Sequence, residues 1–296
     1  MNKTLIVAAM AAAFIMPVSS YAETTSPAAA PAAAPANPLS FNVGATSNYL
    51  FRGVSQTHGK PAVSAGIDYA HESGFYVGAW ASTITWVKDW LGKGSTELDV
   101  YGGYKNTFAG GDWNYDVGLI TYNYPGKNGP SPTNLANPDT TEVYAALGYK
   151  WLTVKYSHAV SKYFIGWYGG PNADQSTRGS GYLELNAAYD LGDGWGITGH
   201  LGDQKVKNSV TTATVNSASY QDWKIGVTKD VPNIGLFSLE YSDTSAKGTC
   251  PAAGGGTNPY CWGTGGNSAV TPVVAPTGNF TNVAKGTVVL SFKKTF

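Results

Sequence analysis

The spacing of strand-like runs constrains this chain most. Twelve segments alternate apolar with polar residues, at 39–51, 61–71, 74–84, 95–108, 113–124, 141–151, 152–162, 181–191, 195–206, 220–230, 235–243 and 286–296. The connections alternate too. Tight ones, "ESG", "AGGD", "GDG" and "VPNI", take turns with long ones at 53–60, 85–94, 125–140, 163–180, 207–219 and 244–285. The runs meeting at Trp151 and Leu152 have almost no connection at all. A soluble sandwich has little reason to sort its loops this way. A transmembrane barrel does, because an even strand number puts short turns at the periplasmic end and long loops at the extracellular end. About 10 residues at roughly 3.3 Å each, tilted about 45°, cover roughly 23 Å of membrane, close to the apolar band of such barrels. In hydrocarbon every backbone donor needs a partner, and strands achieve that only by closing. The pattern therefore predicts an all-β, up-and-down antiparallel transmembrane barrel of about twelve strands. The alternative is a secreted β-sandwich or lipocalin-like barrel.

The N-terminus predicts export. Lys3 precedes the apolar run "LIVAAMAAAFIM", and "SYA" before Glu23 fits signal-peptide cleavage after Ala22. Residues 23–38 are Ala/Pro-rich and read as a semi-rigid periplasmic spacer. That leaves 39–296 for the barrel, in the outer membrane of a Gram-negative cell. No apolar run after the signal approaches the roughly 20 residues of a membrane helix. The 19 basic and 19 acidic residues balance without a basic stripe, which argues against nucleic acid.

Alternation sorts side chains into two faces. In "LSFNVGATSNYLFRG" it puts Phe41, Val43, Tyr49 and Phe51 toward lipid, with Tyr49 and Phe51 in an outer aromatic girdle. Asn42, Thr46, Asn48 and Arg52 face inward. Extended along the chain, the same parity places Arg52, Asp68, Glu97, Asp99, Lys105, Asp116, Glu142, Lys150, Lys155, Glu184, Asp190, Asp222, Lys224, Glu240 and Lys293 in the lumen, nine acids against six bases. His200 also projects inward. These charges either pair across the wall and hydrate it or favour cations and neutral polar solutes. Arg52 is the leading candidate for a constriction, with pairing to an acid such as Asp68 or Glu97 as the structural alternative. Inward Tyr76, Trp80, Tyr101 and Tyr144 narrow a bore already between the filled eight-stranded barrel and the open sixteen-stranded one.

The stretch Ser47–Ser82 resembles the N-terminal signature of the TorF family, whose members are taken to be outer-membrane porins. The pieces that carry the resemblance are "NYLFRG", "SQ", "KPA", the Tyr of "IDYAH" and "SGFYVGAW". The resemblance implies an outer-membrane barrel with a channel role and supplies no set of functional residues. The C-terminus resembles the signal read by the barrel-assembly machinery. Phe296, Phe292, Leu290 and Val288 fit it, whereas Lys294 stands where Tyr is commonest.

No catalytic constellation is found: there is no G-x-S-x-G, H-E-x-x-H or C-x-x-C. His158 has Ser157 and Ser161 nearby in sequence, but alternation points them the other way, so an outer-wall lipid hydrolase is the weaker rival. No cofactor is implied. Cys250 and Cys261, in an exported chain, predict a disulfide that closes a Gly/Pro-rich segment and restrains it by up to about 3 kcal/mol. The expected function is passive diffusion of small polar solutes or ions. A closed-lumen adhesin or structural surface barrel acting through its loops is the alternative. Neither oligomeric state nor the identity of the solute is legible.

Overall fold

The computed structural model describes residues 37–91, 94–126, 137–167, 175–209, 217–253, 256–264 and 278–296. The predicted signal peptide lies outside the described residues, as does all but the end of the spacer. The described elements begin with β1 (Leu39–Thr46), β2 (Leu50–Phe51), β3 (Val54–Ser55), β4 (Ala62–Ala70), β5 (Phe75–Thr83), α1 (Trp86–Leu91), β6 (Thr96–Phe108) and β7 (Trp113–Asn123). They continue with β8 (Thr140–Tyr149), β9 (Leu152–Ala159), β10 (Gly181–Gly192), β11 (Trp195–Lys205), β12 (Tyr220–Val231) and β13 (Gly235–Thr244). The last are β14 (Cys261–Thr264), β15 (Gly278–Asn282) and β16 (Thr287–Thr295).

Twelve of these strands close a barrel in the order β1-β16-β13-β12-β11-β10-β9-β8-β7-β6-β5-β4. They are the twelve that the alternation marks out. Closure is made by β16 against β1, from Asn42 opposite Thr295 to Thr46 opposite Ser291. The final residue takes part: Phe296 donates its N–H to Phe41 O at 2.8 Å, and Phe41 donates back at 3.2 Å. No barrel edge is left to template aggregation.

The tight turns form where the chain tolerates left-handed backbone. Lys150 and Trp151 alone join β8 to β9, with Lys150 at φ +52°. Asp193 (φ +52°) and Gly194 (φ +76°) join β10 to β11. Lys150 therefore belongs to the short-turn rim, not to the lumen where alternation places it. It is half exposed and pairs with Asp112 at 3.7 Å. Asp190 corrects similarly. It is exposed at the short-turn end, accepting the Gly192 N–H at 2.8 Å. At Lys150 the period-2 parity has been carried past the end of β8, whereas Asp190 keeps the parity of Glu184 and Ala188, opposite Gly196, and differs only in standing at the exposed rim.

Strand burial alternates strictly in the central wall, as in β12, and the outward face is apolar. Ile225, Leu201 and Val288 are about 60% exposed, alongside Val143, Leu185 and Leu239 on other strands. A continuous exposed apolar belt on every strand is what lipid, not water, accommodates. Aromatics ring its short-turn end: Trp113 packs on Tyr149 at 4.7 Å, Phe237 on Phe292 at 5.0 Å and Trp151 on Tyr189 at 6.2 Å. At the long-loop end the girdle comes from Tyr156, Trp223 and Tyr241, the last two 5.4 Å apart. It does not come from Tyr49 and Phe51. Wall strand β1 stops at Thr46, and both aromatics turn inward and are buried.

Candidate functional site in the barrel lumen

The segment after β1 does not form a loop outside the barrel. It folds into the long-loop mouth as a two-stranded hairpin, β2 and β3, turning at Arg52 (φ +50°) and Gly53 (φ +77°). Its tip crosses the lumen. Arg52 donates to both carboxylate oxygens of Glu142 on β8, at 3.2 and 2.7 Å, and to Gln204 Oε1 on β11 at 2.8 Å. Its guanidinium lies 4.2 Å from the Tyr182 ring centre and 4.7 Å from that of Phe51. Tyr220 on β12 donates its hydroxyl to Arg52 O at 2.8 Å. The structural alternative for Arg52, pairing with an acid, is what is found, and the acid is Glu142 rather than Asp68 or Glu97. A two-pronged Arg–carboxylate contact fixes direction as well as charge.

A lid of aromatic side chains covers the hairpin. Trp86 at the start of α1 packs on Tyr124 at 5.0 Å and on Trp262 at 6.1 Å. Tyr260 packs on Tyr220 at 5.0 Å and on Trp167 at 5.6 Å. The last long connection joins in through backbone: Ser55 donates its N–H to Val283 O at 2.8 Å. His58 binds it to the second loop, with Nε2 3.2 Å from Trp262 O and Nδ1 3.1 Å from Asp89 Oδ2. Cys250 and Cys261 are bridged at the foot of β14. Sequence reasoning misses this lid, because its partners lie far apart in the chain.

Gly53 makes the crossing feasible. A Cβ there would stand 2.7 Å from Thr244 Cγ2 on β13 and 3.1 Å from Asp222 Cβ on β12. Valine at this left-handed position adds about 1–2 kcal/mol of backbone strain to that overlap. Gly53→Val is therefore expected to expel the tip while the barrel stays closed. Limited trypsin digestion checks it: the variant gains cleavage after Arg52, and the wild type is not cut there.

Below the hairpin the wall is polar, and its inward residues group by strand. Lys155 on β9 lies 3.7 Å from Glu184 on β10, and Lys224 on β12 lies 3.4 Å from Glu240 on β13. His200 sits among Tyr182, Asn186 and Asp222. Its Nδ1 is 2.6 Å from Asn186 Oδ1, and its Nε2 is 2.7 Å from the Tyr182 hydroxyl and 2.9 Å from Asp222 Oδ2. Tyr101 donates to Asp68 at 2.6 Å, and Tyr76 donates to Asp116 at 2.6 Å beneath Lys105. Glu97 and Asp99 are fully buried on β6. Among the described inward residues are eight acids (Asp68, Glu97, Asp99, Asp116, Glu142, Glu184, Asp222, Glu240) and five bases (Arg52, Lys105, Lys155, Lys224, Lys293).

The large inward aromatics expected from alternation, Tyr76, Trp80, Tyr101 and Tyr144, all face inward and are buried. Each lies flat against an inward glycine on the paired strand. Trp80 is opposite Gly66, Tyr101 opposite Gly78, Tyr76 opposite Gly103 and Tyr144 opposite Gly118. A Cβ on Gly78 would come within 2.4 Å of the Tyr101 ring, and one on Gly118 within 2.6 Å of the Tyr144 hydroxyl. Glycine in a strand here marks the space a neighbouring ring occupies. Tyr76 and Tyr144 also meet hydroxyl to hydroxyl.

The Ser–His pairing considered at Ser157, Ser161 and His158 is not assembled, and the one Ser–His contact among the described side-chain hydrogen bonds, His71 Nδ1 to Ser73 Oγ at 2.7 Å, lies in the exposed turn between β4 and β5. Ser157 is buried on the inward face, whereas His158 faces outward with Nδ1 3.2 Å from the Tyr156 hydroxyl. Nor do the described residues include three or more His, Cys, Asp or Glu placed to hold a metal ion.

Comparison with known proteins gives the following. The KdgM porin in complex with disordered oligogalacturonate is 8% identical, with 87% of this chain and 97% of that one covered and a TM-score of 0.46. The NanC porin is 10% identical over 87% of this chain and 97% of its own, at TM-score 0.45. The outer membrane protein OprD from Pseudomonas aeruginosa is 9% identical over 88% and 65%, at 0.39. Likenesses at this level add nothing to the barrel that strand pairing already closes. No curated protein matches the sequence. Residues 29–260, most of the chain, match the family described as "Bacterial protein of unknown function (Gcw_chp)", and the chain belongs to that family.

Proposed function

We propose that this barrel is an outer-membrane channel for passive diffusion of small polar solutes or ions, with a preference for cations, and that the hairpin at its mouth is the gate. The observation that carries the reading is the inward face, with eight acids against four bases on the wall and Arg52 on the hairpin, inside a belt of lipid-facing side chains. Charge is costly to bury, and a barrel that only displays loops gains nothing from so much of it. An excess of carboxylates along a bore raises the local cation concentration. Twelve strands, with rings lying flat on the wall, suit solutes up to about disaccharide size. The resemblance of Ser47–Ser82 to the TorF family supports the same role. Export by the 1–22 signal and assembly through the strand ending in Phe296 complete the proposal.

The packed mouth favours a second reading, a closed barrel acting through its loops. Bilayer recording separates the two. With KCl tenfold more concentrated on one side, the channel reading expects discrete steps and a reversal potential of the sign set by K⁺ permeation. A reversal potential of the opposite sign removes the cation preference. Silence from folded protein favours the surface barrel.

A further inference from the structure

Most inward acids have a basic neighbour; Glu97 does not. Glu97 and Asp99 stand two residues apart on the inward face of β6, at 1% and 0% exposure. Glu97 Oε1 accepts the Tyr49 hydroxyl at 3.2 Å, from the hairpin above. Its Oε2 is buried and has no hydrogen-bond partner. Among the described residues no Lys, Arg or His forms an ion pair with Glu97. The guanidinium of the same hairpin is committed elsewhere, both nitrogens to Glu142 and one also to Gln204. Aromatic side chains complete the surroundings: Trp80 on β5 and Tyr122 on β7 stand opposite Asp99, and Tyr49 meets Trp80 edge-on at 5.6 Å.

We infer that this corner, beneath the hairpin and against β5–β7, is a binding site for a nitrogen cation that carries N–H donors, a primary ammonium or guanidinium group. The inference rests on the reading of the lumen as a cation path and names the class of cation it takes. Three features select the class. A buried acceptor without a partner calls for a donor, which quaternary ammonium lacks. Aromatic faces attract such cations. Ca²⁺ and Mg²⁺ need six or more oxygen ligands and Zn²⁺ three or four protein ligands, and the described residues hold no group of three His, Cys, Asp or Glu for any of them. Because Tyr49 shares Glu97 with the bound cation, occupancy also bears on the hairpin.

Calorimetric titration of the full folded chain in detergent tests the site, with ethylammonium chloride as probe and tetramethylammonium chloride as the cation without N–H donors. Saturable ethylammonium binding is expected, at least tenfold tighter than tetramethylammonium and weakened at least tenfold by Glu97→Gln. Absence of saturable binding, equal binding of the two cations, or indifference to Glu97→Gln overturns the inference. A carboxyl held protonated would give the first of these. If Glu97→Gln fails to fold, as read by its gel mobility with and without heating, Tyr49→Phe replaces it. That variant frees Oε1 and is expected to tighten ethylammonium binding; unchanged or weaker binding counts against the site. Conductance in KCl alone remains a separate readout. Binding without conductance keeps the site and removes the channel, and conductance without binding does the reverse.

Discussion

Replacing Arg52 with alanine is expected to destabilise the folded barrel by about 3–5 kcal/mol, because Glu142 is then left buried without its counter-charge. Glu142 has no exposed surface, and Arg52 supplies both of its charge-assisted hydrogen bonds. The remaining contact, from the Tyr122 hydroxyl at 3.2 Å, does not neutralise it. Urea unfolding in detergent measures the loss. Arg52→Ala with Glu142→Gln should recover much of it, since removing both charges removes the desolvation that neither then balances. The same single variant should raise the open fraction in bilayer recordings, because the tip loses its hold on β8 and β11. A stable Arg52→Ala protein with unchanged recordings would mean that the hairpin is held by the aromatic lid alone.

The second large effect concerns the outer face. Ile225 lies near the middle of β12 and is 61% exposed. Arginine there should cost roughly 2–4 kcal/mol if the belt meets lipid, whereas arginine at Gln221, near the long-loop rim of the same face, should cost about 0–1 kcal/mol. Refolding into lipid vesicles, followed by urea titration, gives both values. A soluble sandwich predicts the opposite for Ile225→Arg: a charge on an exposed apolar side chain would improve solubility at little cost.

Strand number and orientation were legible because each wall strand carries its own period-2 pattern and four of the five tight turns contain Gly, Asn or Asp, the exception being Lys150–Trp151. The cysteine pair was legible from position and compartment. What failed was parity at strand ends. From Leu39 to Phe51 the alternation runs on, although the wall ends at Thr46. One signal was there. Ser47 occupies an outward slot where an apolar residue is due, and Arg52–Gly53 follows as a hairpin turn. Lys150 fails for the same reason, at the opposite rim.

The inward placement of Glu97, Glu142, Glu184 and Glu240 was also legible, since it needs only the parity of one strand. Their partners were not. Arg52 meets Glu142 across the bore, 90 positions on in the chain, through a hairpin that no local pattern describes. The flat packing of Tyr101 on Gly78 or Tyr144 on Gly118 depends on register between strands, so a single strand read alone makes each ring an obstruction. The consequence is that the inward rings line the wall along neighbouring strands, while the hairpin packs into the long-loop mouth.

The most direct test of that account is single-channel recording of two refolded proteins, the wild type and a variant in which residues 49–58 are replaced by a short Gly-Ser linker. The account predicts rare, small openings from the wild type and sustained, larger, cation-preferring conductance from the trimmed barrel. A trimmed barrel that folds, as judged by its heat-dependent gel mobility, and yet stays silent would contradict it.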